Sequence, residues 1–220
     1  AAQATVQIEA GNWTPTIQQE AGTGYVQVQA VGEKVKAEMG NIRIQLKQQD
    51  KTAAKGMTAW GAAYWQYFDN LDQITEAATG LQLQKKLYKE VLSNKGIELV
   101  EVLQDTPLKP GDKLVVRLTI TSDRSLEYVH LKDMRAACLE PVSQLSQYQW
   151  QGALGYYQAP KDASMNFFIH YLPKGTYTLD YSVWVTHEGM FNNGISTIQC
   201  MYAPEFSSHT SGQILTVKAE

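Results

Sequence analysis

The sequence predicts an all-β chain of two antiparallel β-sandwich domains, the first of them incomplete. Three observations carry that expectation. Apolar and polar residues alternate with period two through the second half. Turn residues punctuate those stretches at short spacing. The first third shows the same alternation more weakly.

In chain order, "GYVQVQAV" (24–31) and "NIRIQLKQ" (41–48) alternate and read as strands. "MTAWGAAYWQYFDNLDQI" (57–74) fits a helix of small and aromatic residues or a strand with a turn. Gly61 and the aromatic density favour the strand. "TEAATG" (75–80) reads as a linker, which sets the domains at 1–78 and 79–220. About 75 residues is thin for a whole sandwich.

Downstream, "KLVVRLTIT" sets Leu114, Val116, Leu118 and Ile120 against Arg117, Thr119 and Thr121. "TYTLDYSVWVT" sets Tyr177, Leu179, Tyr181, Val183 and Val185 against Thr178, Asp180, Ser182 and Thr186. "NFFIHYL" gives Phe167, Ile169 and Tyr171 one face. Such strands suit a sheet with one face on a core and one in water. "KPGDK" (109–113) and "LPKGTY" (172–177) supply turns, and Asn193-Gly194 in "FNNGIS" signals a hairpin. A β-sandwich over about 80–220 follows.

The chain has 220 residues, 44% of them hydrophobic, enough for a substantial core. Charged residues are 19% and the net charge is −3, so bulk charge attracts neither nucleic acid nor an anionic membrane. No apolar run approaches the roughly 20 residues of a membrane span. "AAQATVQIEAGNW" shows no signal peptide and no starting Met, as expected of a processed protein or a piece of a longer one. Two cysteines, Cys138 and Cys200, are too few for a disulfide scaffold, though one bridge between them is compatible with an oxidising compartment.

Chemistry-bearing patterns are sparse. His130, His170, His187 and His209 make no short metal-ligand pair, and there is no C-x-x-C or calcium loop. No G-x-S-x-G elbow surrounds Ser196, and Gly22-Thr23-Gly24 is too short to cradle phosphate. No metal, cofactor or catalytic residue is expected. The segment "SQLSQYQWQGALGYYQAPKD" (143–162) is more informative. Tyr148, Trp150, Tyr156 and Tyr157 interleave with glutamines and glycines. Rings with polar tips serve protein interfaces or stack on sugars; half of them could equally roof the core.

One sequence has a specific likeness. "YLPKGTYTLDYSVWVTHEGMFNNGISTIQCMYAPEFSSHT" (171–210) carries Leu172-Pro173-Lys174-Gly175-Thr176-Tyr177, then Gly189-Met190-Phe191, then Met201-Tyr202-Ala203-Pro204-Glu205. It resembles the C-terminal macroglobulin-like domain of bacterial α2-macroglobulins, in the Bacteroidetes branch. "YVHLKDMRAA" with Glu140-Pro141, and 150–177, look like the same family. "EAGTGY" (20–25) and "AWGAAYWQYFDNLDQI" (59–74) resemble the segment after its thioester domain.

The resemblance implies macroglobulin-like, immunoglobulin-like sandwiches and a non-catalytic role in a proteinase trap. In that family, bait cleavage exposes a thioester that acylates the attacking proteinase. The thioester needs C-x-E-Q. Here Cys138-Leu139-Glu140-Pro141 ends in a residue without a side-chain carbonyl, so Cys138 reads as a buried thiol, not a thioester donor. The implied partners are the thioester domain of the same parent chain and, through the parent, target proteinases. No nucleic acid and no direct membrane contact are expected. The implied place is extracytoplasmic and periplasmic, with a lipid-anchored parent. Tyr148, Trp150, Tyr156 and Tyr157, with Tyr202 and Glu205 of the "MYAPE" corner, are the candidate contact residues, chosen on composition. The alternative is a glycan-binding sandwich of a surface system, and a hydrolase ranks last.

Overall fold

A computed structural model describes residues 4–17, 24–48, 61–66, 68, 70–94 and 96–219. The chain divides into two compact units, residues 1–65 and 66–220. In the first, β1 (Ala4–Ala10) pairs antiparallel with β2 (Ile42–Gln48), and short 3-10 turns occupy 32–34 and 37–40. The strand expected at 41–48 is therefore present. The one expected at 24–31 is not: those residues pair with no strand among the described residues, so their alternation has no described ladder to join. Residues 57–60 fall outside the described residues. The described part of 61–74 is irregular, with a 3-10 turn at Leu71–Gln73, rather than a strand.

The second unit is a β-sandwich. Its strands are β3 (Ala77–Thr79), β4 (Leu81–Ser93), β5 (Gly96–Glu101), β6 (Lys113–Ser122), β7 (Leu126–Met134), β8 (Leu139–Pro141), β9 (Gln147–Gln151), β10 (Leu154–Lys161), β11 (Ser164–Leu172), β12 (Gly175–Val185), β13 (Gly189–Asn192), β14 (Ser196–Cys200), β15 (Ser207–His209) and β16 (Ile214–Val217). One sheet runs β3-β15-β14-β7-β11-β10-β9 and the other β5-β4-β6-β12-β8, while β13 and β16 form a separate pair. Among the described residues, the paired strands run antiparallel. Part of the expected linker is strand: Ala77–Thr79 pairs with Ser207–His209.

The alternation read from sequence sets the core. Leu114, Val116, Leu118 and Ile120 of β6 and Leu179, Val183 and Val185 of β12 are buried, facing Phe167 and Ile169 of β11 and Val129 and Leu131 of β7. Tyr171 departs from its expected set: it sits at the strand end and is half exposed. Asn193-Gly194 is not a hairpin turn. It joins β13, which pairs with β16, to β14, which pairs with β7. The Asn193 side chain is buried and accepts from the Ala136 amide at 3.2 Å, and Gly194 takes φ +68° where a Cβ would lie 2.6 Å from Met134 Cβ. The segment changes sheets, so its glycine serves a close approach instead of a tight hairpin.

Two charges lie inside. On β4 the inward series is Leu81, Leu83, Lys85, Leu87, and on β7 it is Val129, Leu131, Asp133. Lys85 Nζ stands 2.7 Å from Asp133 Oδ1, with side chains 6% and 0% exposed. Asp133 also accepts from Ser196 Oγ at 2.6 Å and from the Tyr181 hydroxyl at 2.5 Å. Lys85 donates further to the Met134 carbonyl at 2.7 Å. Four strands from both sheets meet at one fully bonded carboxylate, the condition under which buried charge is tolerated.

Candidate interaction face

The outer face of the seven-stranded sheet gathers six aromatic residues that the core does not use: Tyr128, Tyr148, Trp150, Tyr157, Phe168 and Tyr202. Strand alternation sends Phe167 and Ile169 inward and Phe168 and His170 outward. The registers then align one row across five strands: Tyr148, Tyr157, Phe168, His130 and Gln199. Tyr148 and Tyr157 meet edge to face at 5.4 Å, and the His130 ring stacks on Phe168 at 4.7 Å. His130 Nε2 lies 3.0 Å from Asn166 Oδ1, which fixes that ring from the side.

A second row begins at Trp150, opposite Gly155. A Cβ on Gly155 would come within 2.9 Å of the Trp150 benzo ring, so the indole lies against the bare glycine backbone and turns its other face to solvent. Further along, Tyr128 meets His170 at 4.7 Å and Tyr202 at 5.2 Å, both edge to face. Tyr128 has φ +55°, alone among the described non-glycine residues in having a positive φ. Such a backbone costs about 1–3 kcal/mol and persists where the surroundings hold it. Here the Tyr128 carbonyl accepts from the Met201 amide at 2.9 Å, which ties β7 to the start of the "MYAPE" corner.

The six candidates separate. Tyr202, Trp150 and Tyr148 are 80%, 74% and 73% exposed, and Tyr157 is half-buried on the same face. Tyr156 is in the core against Phe167 at 5.6 Å, so it offers no surface; burial pushes its phenol pKa up. Glu205 sits at the turn before β15, where its carbonyl accepts from Thr79 Oγ1 at 2.5 Å. Most of the segment 143–162 is the β9–β10 hairpin, which runs on into β11. Sequence reading missed Tyr128, His130, Phe168 and His170. Phe168 and His170 carried a signal, as the outward phase of β11, whose inward Phe167 and Ile169 the alternation gives; Tyr128 and His130 lie on β7, which was not read as an alternating strand.

Cys138 is buried and free, as is Cys200. Burial pushes the Cys138 thiol pKa up, the reverse of what a nucleophile needs. Its carbonyl accepts from the Thr186 amide at 2.8 Å and hydroxyl at 2.9 Å, which anchors the turn before β8. Among the described residues no group of three or more His, Cys, Asp or Glu is placed to hold a metal ion. Nor is any helix among them long and apolar enough to cross a membrane.

Comparison with known proteins agrees with this architecture. The family model described as the bacterial alpha-2-macroglobulin MG10 domain matches residues 80–205, more than half of the chain. No curated protein sequence matches it. Among solved structures, a mutant of Salmonella alpha-2-macroglobulin is similar at TM-score 0.53 and 18% identity, over 66% of this chain and 10% of that one. Native Escherichia coli alpha-2-macroglobulin, from domain MG7 to the C-terminus, gives TM-score 0.53 and 18% identity, over 66% of this chain and 24% of that one. E. coli alpha-2-macroglobulin activated by porcine elastase gives 0.53 and 16%, over 66% and 14%. At such identities these structures speak for the fold alone. This chain spans about a tenth to a quarter of their lengths. The match over β4 to the "MYAPE" corner and the antiparallel sandwich together show that the chain belongs to the bacterial alpha-2-macroglobulin family, as a bearer of its MG10 domain.

Proposed function

We propose that this chain is a non-catalytic structural and interaction region of a bacterial alpha-2-macroglobulin proteinase trap. In this reading the outer face of its seven-stranded sheet packs against the thioester domain of the parent protein and keeps the thioester shielded until bait cleavage. Residues 79–220 are the terminal sandwich, and residues 1–78 derive from the sandwich interrupted by the thioester domain. The parent is extracytoplasmic, periplasmic and lipid-anchored, and meets proteinases through its other domains.

The observation that supports the reading is the aromatic face itself. Its two rows, from Tyr148 to Gln199 and from Trp150 to Tyr202, hold no carboxylate, ammonium or guanidinium. A contiguous exposed patch of Tyr, Trp, Phe and His is the composition of an interface centre. Single anchors in such patches contribute about 2 kcal/mol each, roughly 30-fold in affinity.

Association of this chain with the separately produced thioester domain tests it. Trp150→Ala and Tyr202→Ala are each expected to weaken binding roughly 30-fold. Both rings are largely exposed, so the melting temperature should not move. Unchanged affinity in both variants would reject the face. One feature favours a second reading, a glycan-binding module: Trp150 is a flat ring backed by Gly155 and open on the other side. Binding on a glycan array that vanishes in Trp150→Ala would support that alternative.

A further inference from the structure

The β4–β5 hairpin stands apart from the aromatic face, on the other sheet, and β5 is that sheet's terminal strand. Its sequence, Gly96-Ile97-Glu98-Leu99-Val100-Glu101, carries no proline and no lysine. Every residue from Gly96 to Val100 is exposed. On one face Leu92 and Ile97 pair across the hairpin at 84% and 68% exposure, followed by Leu99 opposite Glu90. Monomeric proteins blunt such edges with prolines, lysines or bulges; β5 has none of these.

The main-chain geometry says what the edge can take. In an antiparallel pair, the N–H and C=O of alternate residues point to the same side. The Val102 amide donates to the Leu87 carbonyl at 2.8 Å, so Leu87 points its main-chain groups toward β5. By alternation Lys89, Val91 and Ser93 do the same, and the register sets Val100, Glu98 and Gly96 opposite them. The complementary set on β5 is Ile97, Leu99 and Glu101. Their N–H and C=O groups point away from β4, and no described residue bonds to them. Three consecutive donor–acceptor pairs at about 6.8 Å spacing match another extended strand and no compact ligand.

The charges select the kind of strand. The only ionisable groups of β5 are Glu98 and Glu101. A second copy paired about Leu99 would bring the two Glu98 side chains to diagonal positions, where like charges repel. Glu101 and Glu90 share the face of Ile97 and Leu99 but are already paired, with Lys86 and Lys113 at 3.0 Å each, so a strand alternating apolar with basic residues lays its apolar face on Ile97, Leu99 and Leu92 and its basic face against Glu98. We infer that β5 is a strand-addition site for an extended segment of alternating apolar and basic residues, supplied by a different polypeptide region and not by a second copy of this chain.

The probe is the capped hexapeptide acetyl-(Lys-Val)3-amide, titrated while backbone amides are followed by NMR. Saturable shifts are expected at Ile97, Leu99 and Glu101, with the β9 edge silent. Leu99→Pro removes an N–H that faces outward, so the β4–β5 ladder survives, and binding should fall at least tenfold. Glu98→Lys should transfer preference to acetyl-(Glu-Val)3-amide. The same basic peptide N-methylated at alternate residues should lose binding to the unaltered protein, which keeps the test decisive if Leu99→Pro fails to fold. Equal binding of the methylated peptide, shifts confined to another edge, or no shifts would overturn the inference. Self-association in sedimentation that Leu99→Pro abolishes would overturn it as well, by making the occupant a second copy.

Discussion

Asp133→Ala should be among the most damaging single substitutions in the sandwich. The carboxylate is fully buried and holds three donors at once: Lys85 Nζ, Ser196 Oγ and the Tyr181 hydroxyl. Truncation leaves an ammonium with 6% exposure and two interior hydroxyls facing a methyl group. Removing one partner of a buried ion pair costs about 3–5 kcal/mol, and each orphaned hydroxyl raises the lower bound. An expected loss of about 4 kcal/mol corresponds to a fall of roughly 8–16 °C in melting temperature for a chain of this size. Urea unfolding followed by circular dichroism measures it. The double variant Lys85→Met with Asp133→Asn removes both charges and keeps an acceptor for the hydroxyls. It should cost about 1.5 kcal/mol or less, against about 3 kcal/mol for each of the single variants Lys85→Met and Asp133→Asn, a coupling of about 4 kcal/mol or more. A loss below about 1 kcal/mol for Asp133→Ala, or additive losses in the double variant, would refute the argument that each buried charge depends on its partner.

Other consequences are simpler to check. Gly194→Ala puts a Cβ at φ +68° and 2.6 Å from Met134 Cβ; a loss of about 2–4 kcal/mol in thermal unfolding is expected. Tyr181 is held protonated by burial first and by the Asp133 charge second, so its folded pKa lies well above the ordinary 10.0. Its contribution is complete below pH 10 and is lost as pH rises beyond it, because the unfolded chain releases the proton first. The urea midpoint between pH 9 and 11 should therefore fall less steeply in Tyr181→Phe than in the unaltered protein. Burial also raises the Cys138 thiol pKa, so Cys138 should resist maleimide at pH 8 in the folded protein and label fully in urea; rapid native labelling would contradict the placement.

The inward phases of β6 and β12 were legible because their apolar sets are uninterrupted. The buried pair was harder to see. Lys85 and Asp133 occupy inward positions of strands that are otherwise apolar, but their partnership spans two sheets and 48 residues of chain. Residues 24–31 alternate as well as any strand does, yet no described residue pairs with them as a strand, and alternation reports a two-sided environment, not hydrogen-bond partners. Asn193-Gly194 has the composition of a hairpin turn, but its flanking strands belong to different sheets. At the candidate face, exposed Trp150 and Tyr148 could be named from their interleaving with glutamine, while Tyr156 differs from Tyr157 only in phase. Tyr128 gives no local sign of its backbone conformation, which follows from the approach of Met201 and the rings around it.

The shielding role is tested most directly by thioester reactivity in the uncleaved parent protein carrying Trp150→Ala and Tyr202→Ala together, with Leu103→Ala, an exposed residue outside both proposed surfaces, as control. Reaction with a small amine should accelerate at least tenfold in the double variant and remain at the unaltered rate in the control. Equal rates in all three proteins would contradict a shielding role for this face.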